Sequence, residues 1–177
     1  MIIAAMHEGG TENRVAITPQ AVQHYKEKGL DIAIEHNAGA LAGFFDEAYQ
    51  AAGAEIVNDK KTLLQNTDIL VCLDEPEVQD LKGMRPESLV IGHIDNDAQS
   101  QLIKHCLKQR IALFSMNNIP RISRAQSMDS LSSQANLAGY RAVLEGINHY
   151  HRVVPMMMTA AGMIRPAKIL VLGAGVA

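Results

Sequence analysis

Over the first 115 residues the chain switches repeatedly between two spacings of apolar side chains. Short apolar runs occupy residues 2–6, 31–35, 55–57, 69–73, 89–93 and 111–115, and they predict six strands. Between them, residues 19–28, 46–52, 60–66 and 98–109 carry apolar side chains three or four positions apart, the spacing of a helix with one buried face. Strands alternating with helices build a parallel sheet, so this part reads as an α/β layout. The local signals agree with it: Thr18 before Pro19 is a capping residue followed by a proline at the first helical position, and Gly29 is a stop.

After Ser115 the texture changes. Residues 119–134 hold five serines, two arginines, two glutamines and an aspartate, with few strongly apolar side chains. A long helix is predicted over 130–149, where Leu131, Ala135, Ala138, Ala142 and Gly146 recur along one side. That side is mostly small, which suits a close approach by another helix or sheet, as at a hinge between lobes or a subunit contact, and equally suits a helix crossing a tight core. Residues 152–165, with Pro155, Met156 to Met158 and Gly162, read as a connector. A final apolar strand is predicted at 168–172, running into Gly173-Ala174-Gly175-Val176-Ala177.

That G-x-G turn is half of a dinucleotide-binding fingerprint. In the complete G-x-G-x-x-G form, glycines let the backbone approach a pyrophosphate and let the next helix point its free N–H groups at the anion. The third glycine, the helix and the later ribose-binding acid are absent here. A glycine turn after any buried strand has the same form.

Composition narrows the partners. The 177 residues are 47% hydrophobic and 20% charged, enough for one core and part of a second. A net charge of -3 gives no basic face of the kind that a phosphate backbone demands, so nucleic acid is not an expected partner. No apolar run reaches the ~18 residues of a membrane span, and the first five residues lack the length and basic start of a secretion signal, so no direct insertion is expected. Cys72 and Cys106 each sit in an apolar pattern and read as buried thiols.

Most candidate chemistry dissolves on inspection. His7, His24, His36, His93 and His105 lie on separate predicted elements with no metal-site spacing; His149 and His151 fall at a helix end, where an imidazolium favours the dipole, so no metal is expected. There is no G-x-S-x-G elbow. The segment from Arg121 to Gln134 is different in kind. It offers guanidinium forks from Arg121 and Arg124, an amide from Gln126, hydroxyls from Ser127 and Ser132, and the carboxylate of Asp129. Those groups suit a dinucleotide, and a solvated serine-rich loop capping the next helix would have the same composition.

The stretch RISRAQSMDSLSSQANLAGYRAV, Arg121 to Val143, resembles the signature segment of the alpha subunit of proton-translocating NAD(P) transhydrogenase. Arg14-Val15-Ala16-Ile17-Thr18-Pro19 is similar to the N-terminal motif shared by that family and alanine dehydrogenase. Ala38-Gly39, Ala52-Gly53-Ala54, the Pro155 to Gly162 segment, Pro166-Ala167-Lys168 and the G-A-G-V-A end extend the likeness over the whole chain. The resemblance implies a Rossmann/flavodoxin-like parallel sheet flanked by helices, a long linking helix, and the truncated start of a second Rossmann lobe. The implied division is residues 1–126, 127–165 and 166–177.

It also implies a role: an NAD(H)-binding component, usually a homodimer, that delivers hydride from NADH directly to NADP+ on an NADP-binding partner, while membrane-embedded subunits couple the transfer to proton movement. Such a component is cytoplasmic and peripheral to the inner membrane through its partners. Matched position by position, Arg121, Gln126, Asp129 and Ser132 surround the nicotinamide, with Gln126 and Asp129 nearest the reaction, Arg124 and Ser127 belong to the same cofactor-binding segment, and Gly173 and Gly175 form the glycine turn. On this reading the chain alone is expected to be inactive, since most of its cofactor-binding lobe is missing.

Two further readings stand beside it, an alanine-dehydrogenase-like amino-acid dehydrogenase fragment and a non-catalytic α/β dimerisation module. Against the first, the strand ends that offer a lysine and a histidine to the substrate in alanine dehydrogenase read here Leu73-Asp74-Glu75-Pro76 and His93-Ile94-Asp95. An acid at 74 would repel a substrate carboxylate.

Overall fold

In the computed structural model, which describes residues 1–95, 97 and 99–175, Met1–Asn118 form one compact unit and the residues from Ile119 onward a second. The first unit carries the six expected strands: β1 (Ile2–Ala5), β2 (Asp31–Glu35), β3 (Glu55–Val57), β4 (Ile69–Val71), β5 (Leu89–Gly92) and β6 (Ala112–Ser115). Their order is β3-β2-β1-β4-β5-β6 and every pairing is parallel, the doubly wound arrangement that makes the fold Rossmann-like.

The connecting helices are α1 (Pro19–Glu27), α2 (Asp46–Ala51), α3 (Lys60–Asn66), α4 (Val78–Leu81) and α5 (Gln101–Gln109). Side chains start three of them. Thr18, Asp59 and Ser100 accept hydrogen bonds from the N–H groups of Ala21, Thr62 and Leu102, donors that a helix cannot satisfy internally. After α1, Gly29 turns the chain at φ +75°, where a Cβ would be strained. The helix expected from 98 begins at Gln101; Ala98 lies outside the described residues. The single turn α4 was not legible in the apolar spacing because only Leu81 of it is buried.

Strand alternation sorts the core into two layers. Ala4, Leu70 and Val90 face Leu63, Leu64, Leu81, Leu102 and Cys106 of α3, α4 and α5, while Ile3, Ala5, Ile32 and Ile34 face Val22 of α1 and Tyr49 of α2. Each fully buried Leu or Val contributes about 2 kcal/mol, more than an exposed ion pair such as Lys26 with Asp31 supplies.

The second unit contains a 3-10 turn at Ser123–Met128, α6 (Ser130–His149), and an antiparallel pair, β7 (Met157–Thr159) and β8 (Gly162–Ile164). The expected long helix is present. The segment read as a plain connector holds the hairpin instead, and residues 168–172, expected as a strand, form none: no described strand pairs with them, and Leu170 and Leu172 are 83% and 90% exposed. Without a ladder partner, an apolar run has no geometry that makes it a strand. No helix among the described residues is long and apolar enough to cross a membrane.

Candidate functional site

In a doubly wound sheet, ligands enter where neighbouring strands send their connections to opposite sides, just beyond the strand C-termini. Here that point lies between β1 and β4. What occupies it is Glu8, only 3% exposed, whose two carboxylate oxygens accept from the N–H groups of Leu73 at 2.9 Å and Asp74 at 3.3 Å. Burial pushes the Glu8 carboxyl above its ordinary value, the two backbone bonds oppose the rise, and the charges of Asp74 and Glu12 add to it.

The motif arginine stands beside it. Arg14 donates from Nε to Glu12 at 2.9 Å and from its terminal nitrogen to the other Glu12 oxygen at 2.5 Å, and its backbone N–H donates to Glu12 as well. The guanidinium fork holds the Glu12 carboxyl down at about 2. Ile94 is 2% exposed within the core layer, so it presents nothing to a ligand. His93 reaches sideways instead, its Nδ1 2.7 Å from the Asn117 side-chain oxygen. The crevice is therefore acid-lined: Glu8, Glu12 and Asp74 gather around one arginine that already carries a bidentate carboxylate partner. Glu8 and Glu12 escaped sequence reading; the usable signal was a pair of acids within a few residues of an apolar strand, at the end where doubly wound sheets bind ligands.

The other candidate lies in the second unit. Its 3-10 turn buries one residue, Ala125, and leaves Arg121, Arg124, Gln126 and Ser127 exposed. Asp129 then caps α6. Its carboxylate accepts from the Ser132 N–H at 2.9 Å and from the Ser132 hydroxyl at 2.6 Å, and its carbonyl accepts from the Ser133 hydroxyl at 3.0 Å. Those bonds from Ser132, with the positive charge of Arg121 nearby, lower the Asp129 pKa and keep it ionised. The structure thus brings Asp129, Ser132 and Arg121 into one electrostatic group, with Gln126 on the turn between. A carboxamide fits its donor set, since each Asp129 oxygen keeps a lone pair for an amide N–H while Arg121 can donate to the amide oxygen. Gly173, at φ +98°, and Gly175 belong to the C-terminal segment, and Val176 and Ala177 lie outside the described residues. Among the described residues no cluster of His, Cys, Asp and Glu side chains is placed to hold a metal.

Strand order, the covered sheet faces and the switch-point crevice define a Rossmann-like α/β protein. Residues 6–138 match the family model "Alanine dehydrogenase/PNT, N-terminal domain" and residues 142–177 match "Alanine dehydrogenase/PNT, C-terminal domain". The chain belongs to this alanine dehydrogenase/PNT family. It is 39% identical over 180 residues to the first part of the NAD(P) transhydrogenase alpha subunit of Rickettsia prowazekii, covering 99% of this chain and 47% of that protein. The solved transhydrogenase of Sinorhizobium meliloti superposes with a TM-score of 0.91 at 38% identity, over 99% of this chain and 53% of that one. An alanine dehydrogenase of Methanococcus maripaludis is 24% identical over 168 residues, 93% of this chain and 44% of that protein. The chain spans about half the length of these two curated relatives.

Proposed function

We propose that this chain is the N-terminal portion of the NAD(H)-binding component of an NAD(P) transhydrogenase, which passes hydride from NADH directly to NADP+ held on a partner component. The observation that carries the reading is the Arg121–Ser132 group, in which an ionised Asp129, held by Ser132 at the start of α6, and a nearby guanidinium offer the acceptor and the donor that a carboxamide would need. The dinucleotide supplies the hydride. Hydride moves between two carbon atoms, so no side-chain acid or base is required, and the protein's task is to hold the rings at near-attack distance and exclude water. Arg121 and Asp129 would hold the carboxamide of a bound nicotinamide, Ser132 fixes the Asp129 carboxylate, and Gln126 would serve the ring itself. Arg124 and Ser127 would serve the rest of the dinucleotide, and Gly173 and Gly175 would form the glycine turn for its pyrophosphate.

In this reading residues 1–126 are the first lobe, 127–165 the link and 166–177 the start of the cofactor lobe. The component sits on the cytoplasmic side, held to the inner membrane by membrane-embedded subunits that couple the transfer to proton translocation. It pairs as a homodimer through α6, a 20-residue helix that buries none of its residues within the chain. Amino-acid oxidation is the weaker reading, because Asp74 would repel a substrate carboxylate, Arg14 is already engaged by Glu12, and the buried Ile94 stands where a histidine would be needed.

The test uses an intact subunit carrying these residues. Gln126→Ala should slow single-turnover hydride transfer to an NADP analogue far more than it weakens NADH binding, whereas Arg121→Ala should do both, because the carboxamide contact also acts in the ground state. Equal losses in both quantities for Gln126→Ala would refute its assignment.

A further inference from the structure

Glu8 is a buried carboxylate that joins two crossover connections across the switch point. Its own segment leaves β1 and leads to α1; the N–H groups that it holds belong to Leu73 and Asp74, where the chain leaves β4 toward α4. We propose that Glu8 is a protonation-operated latch: as a carboxylate it ties the segment after β1 to Leu73 and Asp74, just past β4, and on taking up a proton it loosens the Asp74 N–H and frees the exposed Asp74 and Glu75 at the start of the connection to α4.

The geometry sets the order of events. A carboxylate accepts strongly at both oxygens, whereas protonation turns one oxygen into a hydroxyl, which donates its own proton and accepts from an N–H group only weakly. The Leu73 bond at 2.9 Å is the shorter and the Asp74 bond at 3.3 Å the longer, so the proton from solvent settles on the oxygen facing Asp74. Other charges facing Glu8 act on this step. Asp74, from the β4 end, and Glu12, from its own segment, repel the carboxylate, while Arg14 attracts it and is itself paired with Glu12. Beneath it the Cys72 thiol, pushed up to about 12 by burial, stays neutral. His7 packs alongside, its Nδ1 2.6 Å from the Glu8 carbonyl oxygen and its N–H on Glu35 of β2.

The direction is fixed by linkage. A carboxyl whose folded-state pKa lies above its unfolded value takes up its proton in the folded protein first, so between 4.5 and its folded midpoint this group makes the fold more stable as pH falls. The latch therefore opens locally while the sheet stays intact.

Carbon- and nitrogen-labelled full chain, titrated by NMR from pH 8.5 to 4, tests this. The Glu8 carboxyl resonance and the Leu73 and Asp74 amides should share one midpoint above 4.5, and the Asp74 amide should exchange about tenfold faster, corrected for intrinsic rate, once that midpoint is passed, with Leu70 and Val90 unchanged. Glu8→Gln should flatten both amide titrations, and Asp74→Asn should lower the Glu8 midpoint by removing its strongest repelling charge. A Glu8 midpoint at or below 4.5, unchanged Asp74 exchange, or amide titrations that persist in Glu8→Gln would overturn the latch. If Glu8→Gln does not fold, the response of the Glu8 resonance to Asp74→Asn decides the matter.

Discussion

At Gly92, the last residue of β5, a Cβ would stand 2.7 Å from the Cys72 sulfur and 3.0 Å from the Cys72 carbonyl oxygen, just past the end of β4. The Cys72 backbone is itself tied to β5 by its N–H on the Ile91 carbonyl and cannot move away, so Gly92→Ala should destabilise the first unit by about 1–3 kcal/mol. Gly146 is the opposite case, mid-helix in α6 with nothing within 4 Å, and Gly146→Ala should stabilise by about 0.5–1 kcal/mol. Urea unfolding of the two variants should give shifts of opposite sign. Glu12 belongs to the same scale. Its folded-state value of about 2 lies below 4.5, so its contribution is whole above the unfolded value and is lost as pH falls from about 4.5 through 2. Because Arg14 is half exposed, screening holds that contribution to about 1 kcal/mol. Glu12→Gln should therefore lower stability by that amount at pH 7 and by progressively less as pH falls from about 4.5 toward 2, read from unfolding curves across the range.

Among the elements, α6 starts on a single capping side chain, Asp129. Asp129 satisfies the Ser132 N–H at its start, and Asp129→Ala should speed amide exchange over the first turn of α6, while Asp129→Asn, which keeps an acceptor oxygen, should change it much less. The helix was legible from the spacing of Leu131, Ala135, Ala138, Ala142 and Gly146, whereas the role of Asp129 as its cap came only with the structure. The hairpin β7–β8 was not legible, since each strand has three residues and none is buried, which leaves no alternation to read. Residues 168–172 misled for the converse reason. Their apolar pattern describes what a strand would bury, and only a neighbouring strand can convert that pattern into structure.

For the whole molecule, the unburied apolar side chains of α6 carry the prediction. Leu137, Tyr140, Leu144 and Ile147 recur three or four residues apart and are each at least 40% exposed. On the homodimer reading, light scattering at tens of micromolar should return twice the chain mass, and the double variant Leu137→Asp with Leu144→Asp should return the monomer with the first unit still folded. A wild-type monomer at that concentration would remove α6 as the contact.

What the amino-acid sequence determined was local and periodic. Two-residue and three-to-four-residue spacings set six strands and the longer helices, because each spacing matches one backbone geometry, and the capping residues set helix starts because an orphan N–H accepts a partner only a few residues away. The polar run from Arg121 to Ser132 was visible for the same reason, being contiguous. Tertiary structure alone decided the strand order, hence where the switch point falls, and so made Glu8 and Glu12, each some 60 residues from the β4 end, into neighbours of Asp74. Nothing in the spacing along a chain records which distant N–H groups a buried carboxylate will meet, because that meeting is set by which strands pair.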